Sequence, residues 1–157
     1  VVEYQDMNEL QHAEPVWRHR ADFIIGAKIK DKQYSKDFDT EQLWTRRLDD
    51  GTCELCCVPF ALYDLFLGDI VEVDDGLELT RVIRRSGHYG FRIATNTVQD
   101  QDAIAEQLHH IGCLTERFSS HLLAVDADDE SSAQQVASLL SEAEKKGHIV
   151  QYETIKR

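Results

Sequence analysis

The tripeptide Asp-Asp-Gly occurs twice, at Asp49–Gly51 and at Asp74–Gly76, and each copy separates two short apolar-rich runs. A chain that must reverse at both points is committed to short strands, because Gly tolerates the positive φ of a tight hairpin turn and Asp bonds readily to its own backbone there. Around the first turn, Leu43 to Leu48 faces Cys53 to Val58; around the second, Leu67 to Val73 alternates apolar with polar residues and Leu77 to Arg84 supplies the partner. Phe23 to Lys30 is a further strand candidate, and Pro59 to Leu65 is a short apolar connector. Short strands with turns between them predict a small antiparallel, β-barrel-like lobe over residues 21–86, either a barrel or a strongly curled sheet.

After Ser86-Gly87-His88-Tyr89-Gly90 the pattern changes. Phe91 to Ala94 reads as a strand, and Gln101 to Ile111 carries Ile104, Leu108 and Ile111 at helical spacing, with Asp100 and Asp102 at its start and Gly112 after its end. Cys113 to Phe118 and His121 to Val125 form a hairpin about Ser119-Ser120. A second helix opens at Asp128 to Ser132 and closes at Lys145-Lys146-Gly147, and Ile149 to Ile155 is the last strand. The order β-α-β-β-α-β predicts a ferredoxin-like lobe over residues 87–157, with both helices on one face of a four-stranded sheet. The chain is thus expected to be α+β, with residues 1–20 as a polar amino-terminal extension whose Trp17 packs on the body. This chassis carries almost no functional information by itself.

Composition excludes some classes. The strongest apolar stretch, Cys56 to Leu67, is broken by Pro59 and Asp64, well short of the roughly 20 apolar residues a membrane span needs. Glu3, Asp6, Glu9 and Glu14 make the amino end the opposite of a basic, apolar secretory start, so a cytoplasmic protein is expected. The 29 acids against 17 bases, a net charge of −12, would repel a phosphate backbone, which argues against a nucleic-acid partner. The same charge would steer a basic protein inward, or serve solubility alone. Cys53 and Cys56 have a C-x-x-C spacing, but on a strand Cys53 and Cys57 share one face while Cys56 points to the other. Reduced, buried cysteines acting as small hydrophobes are the reading adopted.

The richest chemistry lies in Arg84 to Arg92, where guanidinium groups, a hydroxyl, an imidazole and two glycines crowd an otherwise acidic chain. Arg85, Ser86, His88 and Arg92 form a candidate anion or small-ligand site in a crease between the lobes, since arginine forks match carboxylate or phosphate. The same residues also read as a turn between lobes, with Gly87 and Gly90 supplying unusual dihedrals. Asp69, Glu72, Asp74, Asp75 and Glu78 form a candidate partner-binding surface, while Asp126 and Asp128 to Glu130 fit ordinary helix-start chemistry. His12, His19, His109, His110, His121 and His148 are scattered, and the His109-His110 pair points about 100° apart on a helix, so no metal site is expected. No nucleophile elbow, Walker-type loop, dinucleotide fingerprint or zinc-protease helix occurs, and neither catalytic residues nor a cofactor are assigned.

Leu43-Trp44, Leu48 with Gly51, Val58-Pro59-Phe60, Leu67-Gly68-Asp69-Ile70-Val71-Glu72, Val82-Ile83, Ser86-Gly87-His88 and Arg92 follow one another in an order that resembles the bacterial family catalogued as domain of unknown function 4265. The resemblance continues through Ile111-Gly112-Cys113 and Leu122 to Asp126, covering about residues 23 to 153. Cys57 stands where the pattern has an Asn, and the amino extension has no counterpart. The resemblance implies small standalone bacterial proteins, a habit shared with the antidotes of polymorphic toxin systems, and carries no established activity.

The expectation that follows is a binding protein: an immunity protein that neutralises a cognate basic toxin by covering its active surface, anchored by exposed members of Tyr63, Tyr89 or Tyr152. The alternative is a small-ligand or anion-binding regulator using Ser86, His88 and Arg92.

Overall fold

The computed structural model describes residues 9–31 and 36–157, which form ten strands and two helices in two sheets. The protein is α+β and divides into two compact units after Ser86. Residues 1–8 of the expected extension lie outside the described residues.

In the first unit β1 is Glu9–Leu10, β2 Phe23–Lys28, β3 Thr40–Arg47, β4 Cys53–Leu55, β5 Ile70–Val73 and β6 Leu79–Arg84. β3 is the hub. It pairs antiparallel with β2 along its first six residues, antiparallel with β4 through Thr45–Arg47, and parallel with β1 at Thr40 and Glu41. β4, β5 and β6 then follow as antiparallel neighbours. Burial alternates along β3, with Glu41, Leu43 and Thr45 turned inward, as a sheet with one buried face requires.

Of the two forms expected from the turns, the β-barrel-like lobe takes the open, curled sheet and not the closed barrel. Its end strands β2 and β6 touch at one parallel bridge, Gly26 with Glu78, and no ladder joins them. Two register shifts between β5 and β6 bend the last hairpin. The connector lines the gap between β2 and β6. Its Phe60, Ala61, Leu62 and Leu65 are buried and supply core that a closing ladder would otherwise enclose.

A buried carboxylate holds that connector in place. Glu41 is fully buried and accepts hydrogen bonds from the amides of Phe60 (2.8 Å) and Ala61 (2.9 Å). His12 Nε2 lies 2.7 Å from the same carboxylate, and its ring stacks on Phe60 at 4.3 Å. Leu10 is buried, and the Trp17 amide donates to the Cys56 carbonyl. From Glu9 onward, therefore, the stretch expected as a polar extension is built into the first unit, because its apolar and aromatic residues close over β3 and β4.

In the second unit β7 is Tyr89–Ala94, α1 Val98–His110, β8 Leu114–Ser119, β9 Leu122–Ala127, α2 Glu130–Lys145 and β10 Gln151–Thr154. The antiparallel order β10-β7-β9-β8 is the ferredoxin-like arrangement. Phe91, Ile93, Leu123 and Val125 pack against Ile104 and Leu108 of α1 and Val136 and Leu140 of α2. α1 begins three residues before the expected Gln101 because the Thr97 side chain caps it, accepting from the Asp100 amide; Asp129 caps α2 by accepting from Ser132. Gly112 and Gly147, at φ of 86° and 76°, turn the chain out of the two helices. No helix of the described residues is long and apolar enough to cross a membrane.

All four cysteines are buried free thiols. Burial pushes Cys56 up to about 12 and Cys113 to about 11, with nearby carboxylates adding to each, and also raises Cys53. Iodoacetamide at neutral pH is expected to leave these thiols unmodified in the native protein and to label all four in denaturant. The ordinary Cys56 thiol ionises near 9.0 and the folded one near 12, so its contribution to stability is whole below pH 9 and is lost as the pH climbs toward 12. Glu41→Ala strands His12 and two buried amides and is expected to destabilise the first unit by about 3–5 kcal/mol. Urea unfolding followed by tryptophan fluorescence, from Trp17 and Trp44, checks it.

Candidate functional site

The sequence pointed to two places, and the structure treats them differently. In the first, Arg85 and Ser86 end one unit while His88 and Arg92 begin the next, and each pair is engaged within its own unit. Asp69 is fully buried; its carboxylate accepts from the amides of Phe66 (3.0 Å) and Ser86 (2.8 Å) and from Arg85 Nη1 (3.3 Å). The Arg85 guanidinium also donates to the Asp64 carbonyl and carboxylate, both at 2.7 Å, holding Asp64 at a φ of 56°. Gly68 has a φ of 84° and sits so close that an added Cβ would meet Ser86 Cβ at 3.0 Å and the Trp17 ring at 3.4 Å. Leu-Gly-Asp and Ser86 thus form one loop clamp, and Arg85 spends its donors on two carboxylates inside it.

His88 and Arg92 are held in the second unit. His88 Nδ1 lies 2.9 and 3.0 Å from the two oxygens of buried Asp126, and its carbonyl accepts from Arg157. Arg92 is buried and donates to Glu153 at 3.3 Å across the β7–β10 pair. Buried Glu116 lies in the same row of the sheet, two strands away through Ala124. The buried Arg92 guanidinium is compensated by Glu153 across the strand pair, a structural use of charge.

The second place is the acidic cluster, and Asp69 leaves it: a carboxylate consumed in a buried clamp presents no charge to a partner. The other four surround the tip of the β5–β6 hairpin. Glu72 pairs with Arg81 at 3.3 Å, and Glu78 lies 3.7 Å from Lys28. Asp74 accepts from the amides of Gly76 and Glu78 and so shapes the turn, while Asp75 is exposed at its apex.

The two hairpin tips share a hydrogen-bond pattern but not a register. In the first, Gly51 N–H donates to Leu48 and Leu48 N–H to Thr52, and Gly51 takes the left-handed position at φ 86°. In the second, Leu77 N–H donates to Asp74 and Asp74 N–H to Glu78, which moves the left-handed position one residue past Gly76 and onto Leu77, at φ 61°. That geometry normally takes Gly, since a Cβ crowds the following carbonyl. Leu77 is nonetheless 42% exposed, so the fold covers it only in part. It lines a shallow depression of about 310 Å³ with Ile24, itself 37% exposed, and the rim carries Glu9 and Glu78.

The aromatic anchors named from sequence serve otherwise. Tyr89 lies under the Arg157 guanidinium at 4.4 Å, and Tyr152 packs on the core of the second unit. Tyr63 is half-buried on the wall of a neighbouring groove. Leu77 and Ile24 escaped sequence reasoning; the one available signal was the bulky residue directly after a turn glycine. Among the described residues no group of three or more His, Cys, Asp or Glu could hold a metal ion.

A family model described as Domain of unknown function (DUF4265) matches residues 41–150. No curated protein matches the chain. Among solved structures, the chain is similar to one titled "Novel crystal structure of a hypothetical protein from Neisseria gonorrhoeae", with a TM-score of 0.69 and 17% identity over 86% of this chain and 96% of that one. That likeness shows a shared fold.

Leu77→Gly relieves a left-handed leucine that gains little from burial, and is expected to raise stability by about 1 kcal/mol. Chemical denaturation of the two proteins side by side checks it; a loss of stability would mean that the side chain serves the fold.

Proposed function

The chain belongs to the DUF4265 family, and we propose that it is a protein-binding protein that docks a basic partner on the β5–β6 hairpin tip. The observation that carries this reading is Leu77, a partly exposed apolar residue at a positive φ on the hairpin that also carries Glu72, Asp74, Asp75 and Glu78. Backbone strain at a partly exposed apolar position suits a role beyond stability. An apolar centre within a charged rim is also the anatomy of a docking surface: the centre excludes water and the rim steers the encounter.

The overall charge is not what localises the partner. Residues up to Ser86 carry 18 acids and 11 bases, and those from Gly87 carry 11 acids and 6 bases, so the surplus is shared. What supports one docking face is the local coincidence of carboxylates with Leu77 and Ile24. Neutralisation of a basic toxin by occlusion is the form of this reading that fits an acidic protein with no motif for catalysis.

Co-expression with toxin domains encoded beside its gene tests the proposal. The protein is expected to protect cells from one of them and to copurify with it. Asp75→Lys with Glu78→Lys, which leaves the turn-shaping Asp74 in place, is expected to weaken association at least tenfold, mainly through a slower and less salt-sensitive on-rate. Absence of protection against every neighbouring toxin domain would overturn the immunity reading.

A further inference from the structure

We propose that Asp75 is a site of self-modification: with the Asp74 carboxylate as base, the Asp75–Gly76 link rearranges through a cyclic imide to an isoaspartyl bond that remodels the hairpin tip, while the matching Asp50–Gly51 link stays intact. Asp-Gly is the dipeptide most open to this chemistry, because glycine has no Cβ to hinder attack by its own nitrogen on the preceding side chain. The chain has two such links, each with an exposed aspartate at the tip of a hairpin, so sequence does not tell them apart. Hydrogen bonding does. Gly76 N–H donates to Asp74 Oδ1 at 2.9 Å, which puts a carboxylate within proton-transfer reach of the attacking nitrogen. Gly51 N–H donates instead to the Leu48 carbonyl, which is no base. The Asp75 carboxyl accepts no hydrogen bond among the described residues and is left to turn toward Gly76. Asp50 is pinned: the Thr52 hydroxyl and amide both donate to its Oδ1, and those bonds hold its carboxyl below the usual range. Only the neutral acid reacts, since its hydroxyl leaves as water, so the bonds that keep Asp50 ionised also protect it.

The Gly76 nitrogen attacks Cγ of the Asp75 acid. The new N–Cγ bond closes the imide ring, Asp74 Oδ1 takes the proton from the nitrogen, and that proton departs with the carboxyl hydroxyl as one water. Another water then adds at the Asp75 main-chain carbonyl carbon and breaks its bond to the Gly76 nitrogen, which stays joined to Cγ. One water leaves and one enters, so the composition of the chain is unchanged and no oxidant, reductant or cofactor takes part. The product carries the backbone through Cβ and Cγ, one atom longer than before, and leaves the α-carboxylate as the side group. The loop that receives this atom is closed by Leu77 N–H donating to the Asp74 carbonyl at 3.0 Å. Lengthening the span between them displaces that bond and moves Leu77 out of its left-handed position. The rearrangement needs no partner, so the inference stands apart from the docking reading.

The full chain is incubated in warm, mildly acidic buffer, folded in one series and in denaturant in the other, and then digested after glutamate. Cleavage at Glu54 and Glu72 separates the two Asp-Gly links, and electron-transfer fragmentation identifies isoaspartate in each peptide. In denaturant both links are expected to rearrange at similar rates; in the folded protein Asp75 is expected to outpace Asp50 by about tenfold or more. Gly76→Ala, whose Cβ would meet Asp74 Oδ1 at an ordinary 3.4 Å and which needs no positive φ, is expected to slow Asp75 by about tenfold without disturbing the fold. Asp74→Asn keeps an acceptor for the Gly76 and Glu78 amides but removes the base, and is expected to slow Asp75 severalfold while the Leu77 amide resonance stays in place. Equal rates at Asp50 and Asp75 in the folded protein, no rearrangement at Asp75, or an unchanged rate in Asp74→Asn would each overturn the inference.

Discussion

The first unit depends on placing carboxylates where water cannot reach and then surrounding them with donors. Asp69 draws in the amides of Phe66 and Ser86 and the Arg85 guanidinium; Glu41 draws in two connector amides and His12. A buried charge left without such partners costs several kcal/mol, so each carboxylate fixes the chain segments that bring its donors. Glu41 ties the connector and the early chain to β3, and Asp69 ties the end of β6 to the loop before β5. With both ends of the sheet tied in this way, the connector covers the core while β2 and β6 stay apart.

These clamps account for several of the sequence elements that carried the family resemblance. Leu-Gly-Asp and Ser86 meet in one loop, where Gly68 supplies both a positive φ and the room its neighbours need. His88, two residues further on, bonds to Asp126, the last residue of Leu122-Leu123-Ala124-Val125-Asp126. Residues that looked like chemistry in a linear reading, two arginines, a serine and a histidine in a row, are therefore spread over separate internal contacts. Arg85, the Ser86 amide and His88 bond to carboxylates of their own units, and Arg92 donates to Glu153.

How much was legible follows from the range of the interactions. The two hairpins and both helices rest on contacts between near neighbours: a turn glycine, a capping Thr97 or Asp129, apolar residues three and four apart. Such signals are written locally. β1 was invisible because two residues pairing parallel with a strand thirty positions away leave no periodicity. Glu41 was invisible because an acid in a strand reads as a solvent-facing position until its donors are known. The sequence left a closed barrel and a curled sheet both open because closure depends on how β5 and β6 bend, and those register shifts arise from packing that alternation does not record.

The acidic cluster was half legible for the same reason. A count of carboxylates treats Asp69 and Asp75 alike, yet one is buried in a clamp and the other stands at the apex of a turn. The repeated Asp-Asp-Gly held finer information than its glycine suggested. Moved one place along an otherwise similar hydrogen-bonded loop, it puts leucine where the first copy puts glycine. Glycine at position 77 would fold with less strain, whereas leucine leaves 42% of its surface exposed. Leucine there keeps a partly exposed apolar side chain at a strained backbone position, and the proposed docking surface rests on that feature.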